Sequence, residues 1–375
     1  MRNKTENLTQ TKNPMVPTTA WITVNRNCNM RCEWCYAKNA DYQGEMGLEY
    51  AKKITTLVFE CGVKKLIIIG GEPTVWSHLL EFNAFCRELG LMTVLATNAM
   101  RFSNDAFWKK YKKYPNDSVG ISLKGYNEET YKNITRISDF ASVVKGIKRS
   151  VHFFEHGVST IYNSPNPKDL IGTALLAKEV GATFLSIGFC TPVIQKGCSD
   201  GAFLTPLNQV VKSVLAAYDE VDTIMEKKLS FSMKLPLCLW PDDFIEMLID
   251  KKQLSTLCQL RQKFGLIFSM YGEVIMCNSL LEYPIGAYEK DFSTKDELFA
   301  FLNTTRISGY YDRVNNYPSE KCISCKRYSS CGGGCPMLWA FHYDGRGKLD
   351  TLFGPTPPCV RCTITIYEKD HYLRR

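Results

Sequence analysis

The chain has 375 residues, a formal net charge of +8, 45% hydrophobic residues and 22% charged residues. This balance is that of an ordinary globular protein and excludes a largely disordered chain. No run of about 18 apolar residues occurs, so the sequence predicts no membrane span. The polar first residues lack the apolar stretch of a signal peptide. The positive charge is spread along the chain in short lysine pairs, so neither a nucleic acid nor a membrane is expected as a partner.

The chain contains sixteen cysteines. Because cytosolic thiols stay reduced, so many cysteines without an export signal favour metal ligation over disulfide bonds. We therefore expect a cytoplasmic protein whose cysteines hold metal centres.

Short apolar runs alternate with helical patterns from about residue 18 to residue 215. Six runs are predicted as buried strands, at 21–24, 65–70, 92–97, 118–123, 157–161 and 183–189. Helical periodicity occurs at 48–61, 76–90, 167–180 and 207–227. Strands that are each followed by a helix predict an α/β fold with a parallel sheet, here a partial (β/α)6 TIM-type barrel. In such barrels the chemistry lies on the loops at the carboxyl ends of the strands.

The pattern changes after about residue 230. The string GLIFSMYGEVIMCN predicts a β-hairpin that turns at Tyr271–Gly272. From residue 320 onward the chain is rich in cysteine, glycine and proline and has little periodicity. Such a segment buries too little apolar surface to fold alone, so a metal scaffold is expected in place of a core.

Cys28, Cys32 and Cys35 form a C-x3-C-x2-C triplet directly after the first predicted strand. Three soft thiolates on one short loop can hold three corners of a cubane iron–sulfur cluster, which leaves the fourth iron without a protein ligand. The alternative is a zinc site with a fourth ligand elsewhere in the chain.

A second motif, GGEPT, spans Gly70 to Thr74 at the end of the second predicted strand. Paired glycines let the backbone approach a ligand closely, and a glutamate accepts hydrogen bonds from an ammonium group. A simple strand-to-helix turn is the other interpretation. Together with the triplet, however, this motif resembles the radical S-adenosylmethionine (SAM) enzymes. The resemblance implies that the amino group of SAM is held by Gly70, Gly71, Glu72 and Pro73.

The resemblance extends to six more positions that would contact SAM, namely Trp34, Thr97, Asn98, Ser122, Lys124 and Arg136. Trp34 would lie beside the adenine, and Ser122 and Lys124 match the ribose-binding segment. Many family members have aspartate where this chain has Lys124. Arg136 is a candidate partner of the SAM carboxylate. A core aromatic at Trp34 and a surface turn at Thr97–Asn98 are the structural alternatives.

The C-terminal cysteines follow the pattern CX13GX4C–CX2CX5CX3C–C, which resembles the SPASM domain of radical SAM enzymes. The resemblance implies two auxiliary 4Fe–4S clusters. The first would be held by Cys258, Cys277 and Cys335, and the second by Cys322, Cys325, Cys331 and Cys359. Cys238 is our candidate for the missing ligand of the first cluster, with a buried structural thiol as the alternative. Cys362 can replace Cys359, and two zinc sites are the alternative for the whole pattern.

Four further cysteines are left outside these patterns. Cys61 and Cys86 lie in helical apolar patterns and are expected in the core. Cys190 and Cys198 follow the last predicted barrel strand, where a thiol can give a hydrogen atom to a substrate radical or can simply be buried.

The resemblance divides the chain into an N-terminal tail (1–17), a radical SAM barrel (18–228), a bridging region (229–257) and a SPASM domain (258–375). It implies three 4Fe–4S clusters, SAM, and a flavodoxin- or ferredoxin-like electron donor. The reaction implied is reductive cleavage of SAM to a 5′-deoxyadenosyl radical, followed by hydrogen abstraction from the substrate.

Two auxiliary clusters fit an oxidation, such as a cross-link or a dehydrogenation of a peptide or protein. Oxidation or epimerisation of a small molecule is the alternative, and a non-catalytic electron carrier is an alternative of another class. Sulfatase maturation is disfavoured, because those enzymes have an acidic base where this chain has Asn278 and an amide cannot take a proton. The sequence does not identify the catalytic base.

Overall fold

A long β-sheet with helices on its outer face is the central feature of the computed structural model, which describes residues 16–37, 43–195, 198–201, 203–314 and 320–339. The predicted N-terminal tail lies almost wholly outside these residues. The strands of the described residues are β1 (Thr19–Thr23), β2 (Lys65–Ile69), β3 (Met92–Thr97), β4 (Ser118–Leu123), β5 (Val158–Tyr162), β6 (Leu185–Phe189), β7 (Val193–Gln195), β8 (Cys198–Asp200), β9 (Leu229–Ser232), β10 (Leu254–Ser255), β11 (Gly265–Phe268), β12 (Glu273–Ile275) and β13 (Pro284–Ala287).

The main sheet has the strand order β10-β9-β6-β5-β4-β3-β2-β1-β11-β12-β13, and β7 and β8 form a separate pair. Strands β1 to β6 are parallel to their neighbours, with register pairs such as Ile22↔Ile68 and Leu123↔Thr160. The six predicted strands are thus confirmed, each to within a few residues, and the predicted α/β partial barrel with them. Their carboxyl ends share one edge of the sheet.

Helices connect the strands and cover the outer face. The α-helices of the described residues are α1 (Leu48–Glu60), α2 (Leu79–Glu88), α3 (Asp105–Tyr111), α4 (Glu128–Thr135), α5 (Phe140–Phe154), α6 (Pro167–Glu179), α7 (Leu207–Ile224), α8 (Asp242–Asp250), α9 (Gln259–Gln262), α10 (Lys295–Leu302), α11 (Thr305–Val314), α12 (Tyr328–Cys331) and α13 (Pro336–Trp339). The four predicted helices correspond to α1, α2, α6 and α7. Local sequence explains the start of α6, where the Asn166 side chain accepts a hydrogen bond from Lys168 N and proline stands in the first turn.

The core lies between the sheet and the helices. Ile22, Ile68 and Leu95 on the strands are fully buried, as are Phe82 and Ile147 on the helices. Because strand side chains alternate between faces, the partly exposed residues of β4, β5, β6 and β9 point to the opposite, inner face of the barrel. Cys61 and Cys86 are buried among the core residues, as predicted.

The predicted hairpin is confirmed as β11 and β12, which pair antiparallel with Ile267 opposite Ile275. Its turn needs glycine, because Gly272 has φ +77° and a Cβ there would lie 2.9 Å from Cζ of Tyr50. The hairpin does not stand apart from the barrel, since β11 pairs in parallel with β1. At the other edge β9, which begins in the predicted bridging region, extends the parallel sheet beyond β6. One sheet therefore crosses both internal domain boundaries that the sequence suggested, and those boundaries stay a prediction.

Within the residues that the structure describes, none of the helices combines the length and the apolar character that a bilayer crossing requires.

Candidate functional site

The three cysteines of the triplet lie on the loop that leaves the carboxyl end of β1, and all three are half-buried. Two backbone hydrogen bonds fasten this loop to the end of α4, from Arg31 N to Thr135 O (2.9 Å) and from Glu33 N to Ile134 O (3.0 Å). A third, from Cys35 N to Cys32 O (3.1 Å), closes the turn between two of the thiols. The loop thus holds the triplet at the edge of the sheet where the parallel strands end.

The three thiols influence one another electrostatically. The pKa of Cys28 is raised to about 12, mainly by burial and also by the charges of Glu72, Cys32 and Cys35, while a hydrogen bond from Met30 N opposes the rise. The pKa of Cys32 is also raised by burial, and the positive charge of Lys124 partly opposes this rise. Buried thiols of this kind lose their protons to solvent when they bind a metal centre, because metal binding and deprotonation are linked. The donor set therefore fits a cationic cluster.

The paired glycines at the end of β2 contact the cysteine loop. A Cβ on Gly71 would lie 2.7 Å from the carbonyl carbon of Asn27, and one on Gly70 would lie 3.1 Å from Asn25 O. Gly71 N donates to Asn25 O (2.9 Å), and Glu72 N donates to Asn27 O (2.8 Å). Glycine is thus required here so that β2 can approach the loop that precedes Cys28.

The side chain of Glu72 joins the ends of β2 and β3. Its Oε1 accepts hydrogen bonds from Thr74 N (3.1 Å), Thr74 Oγ1 (2.6 Å) and Thr97 Oγ1 (2.6 Å), and its Oε2 accepts one from Asn98 N (2.8 Å). Burial raises the pKa of Glu72, and these hydrogen bonds oppose the rise. Oε1 thus accepts from three donors and Oε2 from only one, so Oε2 keeps an acceptor position. That position is what a bound ammonium group would need.

Asn98 connects the end of β3 to the cysteine loop. Its Nδ2 donates to Asn29 Oδ1 (2.8 Å), next to Cys28, while its Oδ1 accepts from Met100 N (3.0 Å). The adjacent Ala99 has φ +62°, a left-handed conformation that favours glycine. Thr97 and Asn98 are therefore buried parts of the site and not a surface turn.

Several buried polar atoms around the loop have no hydrogen-bond partner. They include Nε1 of Trp34, Nη1 of Arg26 and Oδ1 of Asn25. Buried polar atoms normally find a partner, so this group indicates a place for a polar ligand beside the triplet. The residues present therefore fit a cluster together with a polar cofactor.

The other predicted SAM contacts are distributed around the mouth of the barrel. Pro73 begins a short 3-10 turn and is buried. Lys124 follows β4, where its charge acts on Cys32 and on Cys190. Arg136 ends α4 with an exposed side chain whose Nη2 lies 3.7 Å from Oε1 of Glu33. It is thus near the cysteine loop, in an ion pair of the kind that contributes little stability.

Ser122 belongs to a row of serines on the inner face of the barrel. It stands in register with Ser159, which in turn stands opposite Ser186, and Ser186 stands opposite Ser230. The other side of the interior is apolar, with Ile69, Ile267 and Ile275 packed beside Trp21, Ile67, Ala96 and Leu281. The interior thus has a hydroxyl-bearing side and an apolar side.

The C-terminal cysteines form two groups. In the first, Cys258 precedes α9, Cys277 follows β12, and Cys335 precedes α13. After burial, which has the largest effect, the charges of Cys277 and Cys258 raise the pKa of Cys335. The same neighbour, Cys258, acts on Cys277. The three thiols thus influence one another electrostatically, and their shared cluster stays a prediction.

In the second group, Cys322, Cys325 and Cys331 act on Cys238. The sequence interpretation assigned Cys238 to the first group, and this assignment stays a prediction; the neighbouring Leu237 N donates to Sγ of Cys331 at 3.3 Å. The chain turns between Cys331 and Cys335 at three consecutive glycines, Gly332 to Gly334, all with positive φ. This turn allows the two cysteines to belong to different groups. Cys359 and Cys362 lie outside the described residues.

Among the described residues, no three His, Cys, Asp or Glu side chains approach closely enough to hold a single metal ion. A cubane cluster differs from such a site, because its cysteines bind separate irons. The ligand assignments stay predictions.

Two cysteines follow the last barrel strand. Cys190 is buried next to β6, and burial raises its pKa to about 12, with the charges of Lys234 and Lys124 opposing the rise. It is therefore a protonated thiol at neutral pH. Cys198 begins β8.

Four residues that sequence reasoning missed also belong to these sites. Asn25 and Asn29 flank Cys28 and hold the ends of β2 and β3, and a polar residue beside a ligand cysteine is the signal that would have found them. Arg261 donates hydrogen bonds to the carbonyls of Gly332 and Gly334 (3.1 Å for the latter). The backbone of Lys234 accepts a hydrogen bond from Cys335 N. No sequence signal marks these last two.

Comparison with known proteins identifies a family for one segment of the chain. A model of the radical SAM superfamily matches residues 22–177. A probable GTP 3′,8-cyclase of Methanocaldococcus jannaschii is 30% identical over 173 residues, which are 45% of this chain and 57% of that protein. The chain spans about half the length of the curated relatives it matches.

Solved structures of similar fold include Streptococcus suis SuiB bound to S-adenosylmethionine, with a TM-score of 0.64 and 16% identity over 87% of this chain and 76% of that one. Another is anSMEcpe with bound AdoMet and the Cp18Cys peptide, with a TM-score of 0.66 and 16% identity over 90% and 96% of the two chains. At these identities the likeness establishes the fold. The triplet follows β1 inside the matched range, and GGEPT follows β2. The chain therefore contains a radical SAM domain, which the family model places at residues 22–177.

Proposed function

We propose that this protein is a radical SAM enzyme that carries out an oxidative modification, a cross-link or a dehydrogenation, of a peptide or protein substrate. The observation that carries this proposal is the convergence of the three thiols with Glu72 at one edge of the sheet. When bound together at this edge, an iron–sulfur cluster and SAM supply a 5′-deoxyadenosyl radical that removes a hydrogen atom from the substrate. The remaining task of the chain is to bind and orient the cofactor and the substrate and to exclude water.

The proposed ligands of the cluster are Cys28, Cys32 and Cys35. SAM would be held by Trp34, Gly70, Gly71, Glu72, Pro73, Thr97, Asn98, Ser122, Lys124 and Arg136. Glu72 is buried and is fixed by four donors, so it is an immobile acceptor for the amino group of the cofactor. The unpartnered Nε1 of Trp34 is a donor within the same site.

The interior of the barrel is the proposed substrate cavity. Its apolar side, which includes Ile67 and Ile69, excludes water, and a dry site protects a reactive radical from side reactions. Its hydroxyl side offers hydrogen bonds from Ser122 and Ser186 to polar groups of a substrate, whereas Ser159 Oγ donates to Ile121 O (2.9 Å) and can accept one.

A net oxidation removes two electrons and two protons from the substrate. The 5′-deoxyadenosyl radical accounts for one hydrogen atom, so the second electron needs an acceptor and the second proton passes to a base or to solvent. The two groups of C-terminal cysteines support the proposal, because they are sites where the chain can hold iron–sulfur acceptors. We include in the proposal the SPASM domain (258–375) and a flavodoxin- or ferredoxin-like protein as the source of the electron that starts the reaction.

The substrate class is inferred from the similar proteins. A peptide is favoured by the similarity in fold to anSMEcpe, whose structure contains a peptide. A small molecule is the second candidate, and it is favoured by the relative that is named for a reaction of GTP. The hydroxyl-bearing side of the cavity suits either class.

The test is anaerobic reconstitution with iron and sulfide, followed by SAM and dithionite, with 5′-deoxyadenosine measured by mass spectrometry. The wild type is expected to form 5′-deoxyadenosine, and the C28A/C32A/C35A variant is expected to form none. Cys61→Ala is the matched control, because this thiol is buried on the outer face of the sheet and should leave the reaction unchanged. Absence of the product in the wild type would refute the proposal.

Substrates are then compared with the same reconstituted protein. Candidate peptides and small molecules are incubated with SAM, and their masses are measured. Loss of two hydrogens from a peptide supports the oxidative proposal. Solvent deuterium uptake without a loss of mass would instead indicate epimerisation and would contradict it.

A further inference from the structure

We infer that the peptide substrate carries a carboxylate that is bound at the mouth of the barrel by Lys234 and Lys124. The inference rests on the proposed function and deepens it, because it adds an acidic group to the peptide that the cavity would hold. Lys124 directly follows β4, and Lys234 lies two residues beyond the end of β9. Since β4 and β9 belong to the parallel part of the sheet, both lysines lie at the edge where the cysteine triplet lies.

The burial pattern after β9 places Lys234 on the inner face of the barrel. Phe231, Met233 and Leu235 are buried in the core, whereas Ser232 and Lys234 between them are not. Met233 N also donates a hydrogen bond of 2.7 Å to a carbonyl of β10, so the chain is still held in the sheet at this point. Because strand side chains alternate between faces, Lys234 shares the inner face with Ser232.

The same alternation applies to Lys124. Leu123 and Gly125 are buried, whereas Lys124 between them is only half-buried, so it continues the inner face of Ser122. In the described part of the chain, neither Lys124 nor Lys234 has a hydrogen-bond or ion-pair partner for its ammonium group. Both charges are therefore available to a ligand in the cavity.

The wall between the two lysines contains no opposing charge. Strands β5 and β6 lie between β4 and β9, and their inward positions are occupied by Ser159, Ile161, Ser186 and Gly188. The inward positions of β4 and β9 themselves carry only glycine and serine. This described wall thus has lysines and no carboxylate. A cleft lined by charge of one sign attracts a ligand of the opposite sign.

The charges of both lysines act on one thiol, that of Cys190 at the end of β6. Burial raises the pKa of this thiol, and the charges of Lys234 and Lys124 oppose the rise. Glu33 acts in the opposite direction, but its carboxylate lies 3.7 Å from the guanidinium of Arg136. The three strand intervals from β4 to β9 span only about 14 Å, so two flexible lysine side chains can contact one bound peptide segment.

The test selects peptides with the reconstituted, SAM-bound protein, so that no substrate has to be known beforehand. A random library of short peptides, acetylated and amidated at their ends so that only side chains are charged, is incubated with the immobilised protein. Bound peptides are eluted and sequenced by mass spectrometry. A second library with free carboxyl ends shows whether a C-terminal carboxylate is bound instead of a side chain. Inorganic tripolyphosphate is the phosphate probe.

We expect the wild type to enrich aspartate and glutamate over asparagine and glutamine. Lys234→Met should lower this enrichment about twofold to fivefold, the range of an exposed ion pair, and Lys124→Met should lower it as well. Lys234→Arg should retain the enrichment. Lys234→Glu should select lysine and arginine instead, which the loss of a purely structural contact would not produce.

Lys228→Met is the matched control, because Lys228 is an exposed lysine at the opposite end of β9. This variant should select the same peptides as the wild type. Circular dichroism shows that each variant has folded.

The inference is overturned if the wild type recovers acidic and amide side chains equally from both libraries, or if Lys234→Met leaves the enrichment unchanged. Binding of tripolyphosphate without any enrichment of acidic peptides would assign the lysines to a phosphate and would overturn it as well. Failure of the proposed function is recognised separately, because it appears as absence of 5′-deoxyadenosine from the wild type, whereas the selection of peptides needs no radical chemistry.

Discussion

Substituting Gly71 by alanine is expected to separate the cofactor motif from the cysteine loop. The added Cβ would lie 2.7 Å from the carbonyl carbon of Asn27, and closer still to the carbonyl oxygens of Arg26 and Asn27, whereas ordinary contact begins at 3.4 Å, so the two segments must move apart by at least about 0.7 Å. The backbone carbonyls cannot rotate away as a side chain would. The strain therefore falls on the hydrogen bonds from Gly71 N to Asn25 O and from Glu72 N to Asn27 O.

Overpacking of this kind costs about 1–3 kcal/mol, and two weakened hydrogen bonds add about 0.5–1.5 kcal/mol each. We therefore expect Gly71→Ala to lower the free energy of unfolding of the metal-free protein by about 3 kcal/mol. Formation of 5′-deoxyadenosine should fall at least tenfold even at temperatures where the variant is folded, because the loop before Cys28 is displaced.

Urea denaturation followed by circular dichroism measures the first effect, and the reconstituted assay measures the second. Gly309→Ala is the matched control, because a Cβ at Gly309 meets no atom within 4 Å and alanine suits the interior of α11. If Gly71→Ala unfolds at the same urea concentration as the wild type, alanine fits between β2 and the loop without displacing them, and the prediction is refuted.

Three further predictions concern single side chains. Glu72→Gln should destabilise the protein by about 2 kcal/mol and abolish 5′-deoxyadenosine formation. The reason is that an amide NH2 would face one of the hydrogen-bond donors around Glu72. Glu49→Gln, at an exposed position on α1, is the control in the same denaturation and activity assays. Lys251 donates hydrogen bonds to Asp222 and Tyr218, which raise its pKa to about 12. Because the pKa of this lysine is higher in the folded than in the unfolded protein, its charge stabilises the fold. The stabilisation is complete below pH 10.5 and is lost as the pH rises through 12. Urea titrations of Lys251→Met should therefore differ from those of the wild type at pH 8 and converge above pH 12, unlike those of Lys252→Met, and equal stability at pH 8 would contradict this. In the metal-free protein, iodoacetamide should label the exposed Cys325 much faster than the buried Cys190, whose pKa is raised to about 12; peptide mapping that shows equal rates would disprove the burial of Cys190.

The strands of the barrel and the two main motifs were predictable from sequence because their signals are local. Buried parallel strands are continuous apolar runs, as in KLIII, and the triplet and GGEPT each fit within a few residues. The hairpin was predictable for the same reason, since its turn is marked by Gly272.

The unpredicted features depend on contacts between distant segments. Strand β9 has the sequence LSFS, whose serines face the barrel interior, so it lacks the apolar run of the other strands. Pairing of β11 with β1 joins residues such as Gly265 and Thr19, and no local pattern indicates such a partner. The contact of residues 234 to 237 with residues 331 to 335 was not predicted, because spacing along the chain does not reveal it.

The pairing of β11 with β1 has a consequence for any attempt to divide the protein. A shortened chain that ended at residue 257 would leave β1 with a row of unpaired N–H and C=O groups along one side. The strand that carries the triplet would then become an exposed edge, open to aggregation and free to fray beside Cys28. Exchange of the C-terminal part between related enzymes should therefore be designed with β11 kept on the barrel side of the junction.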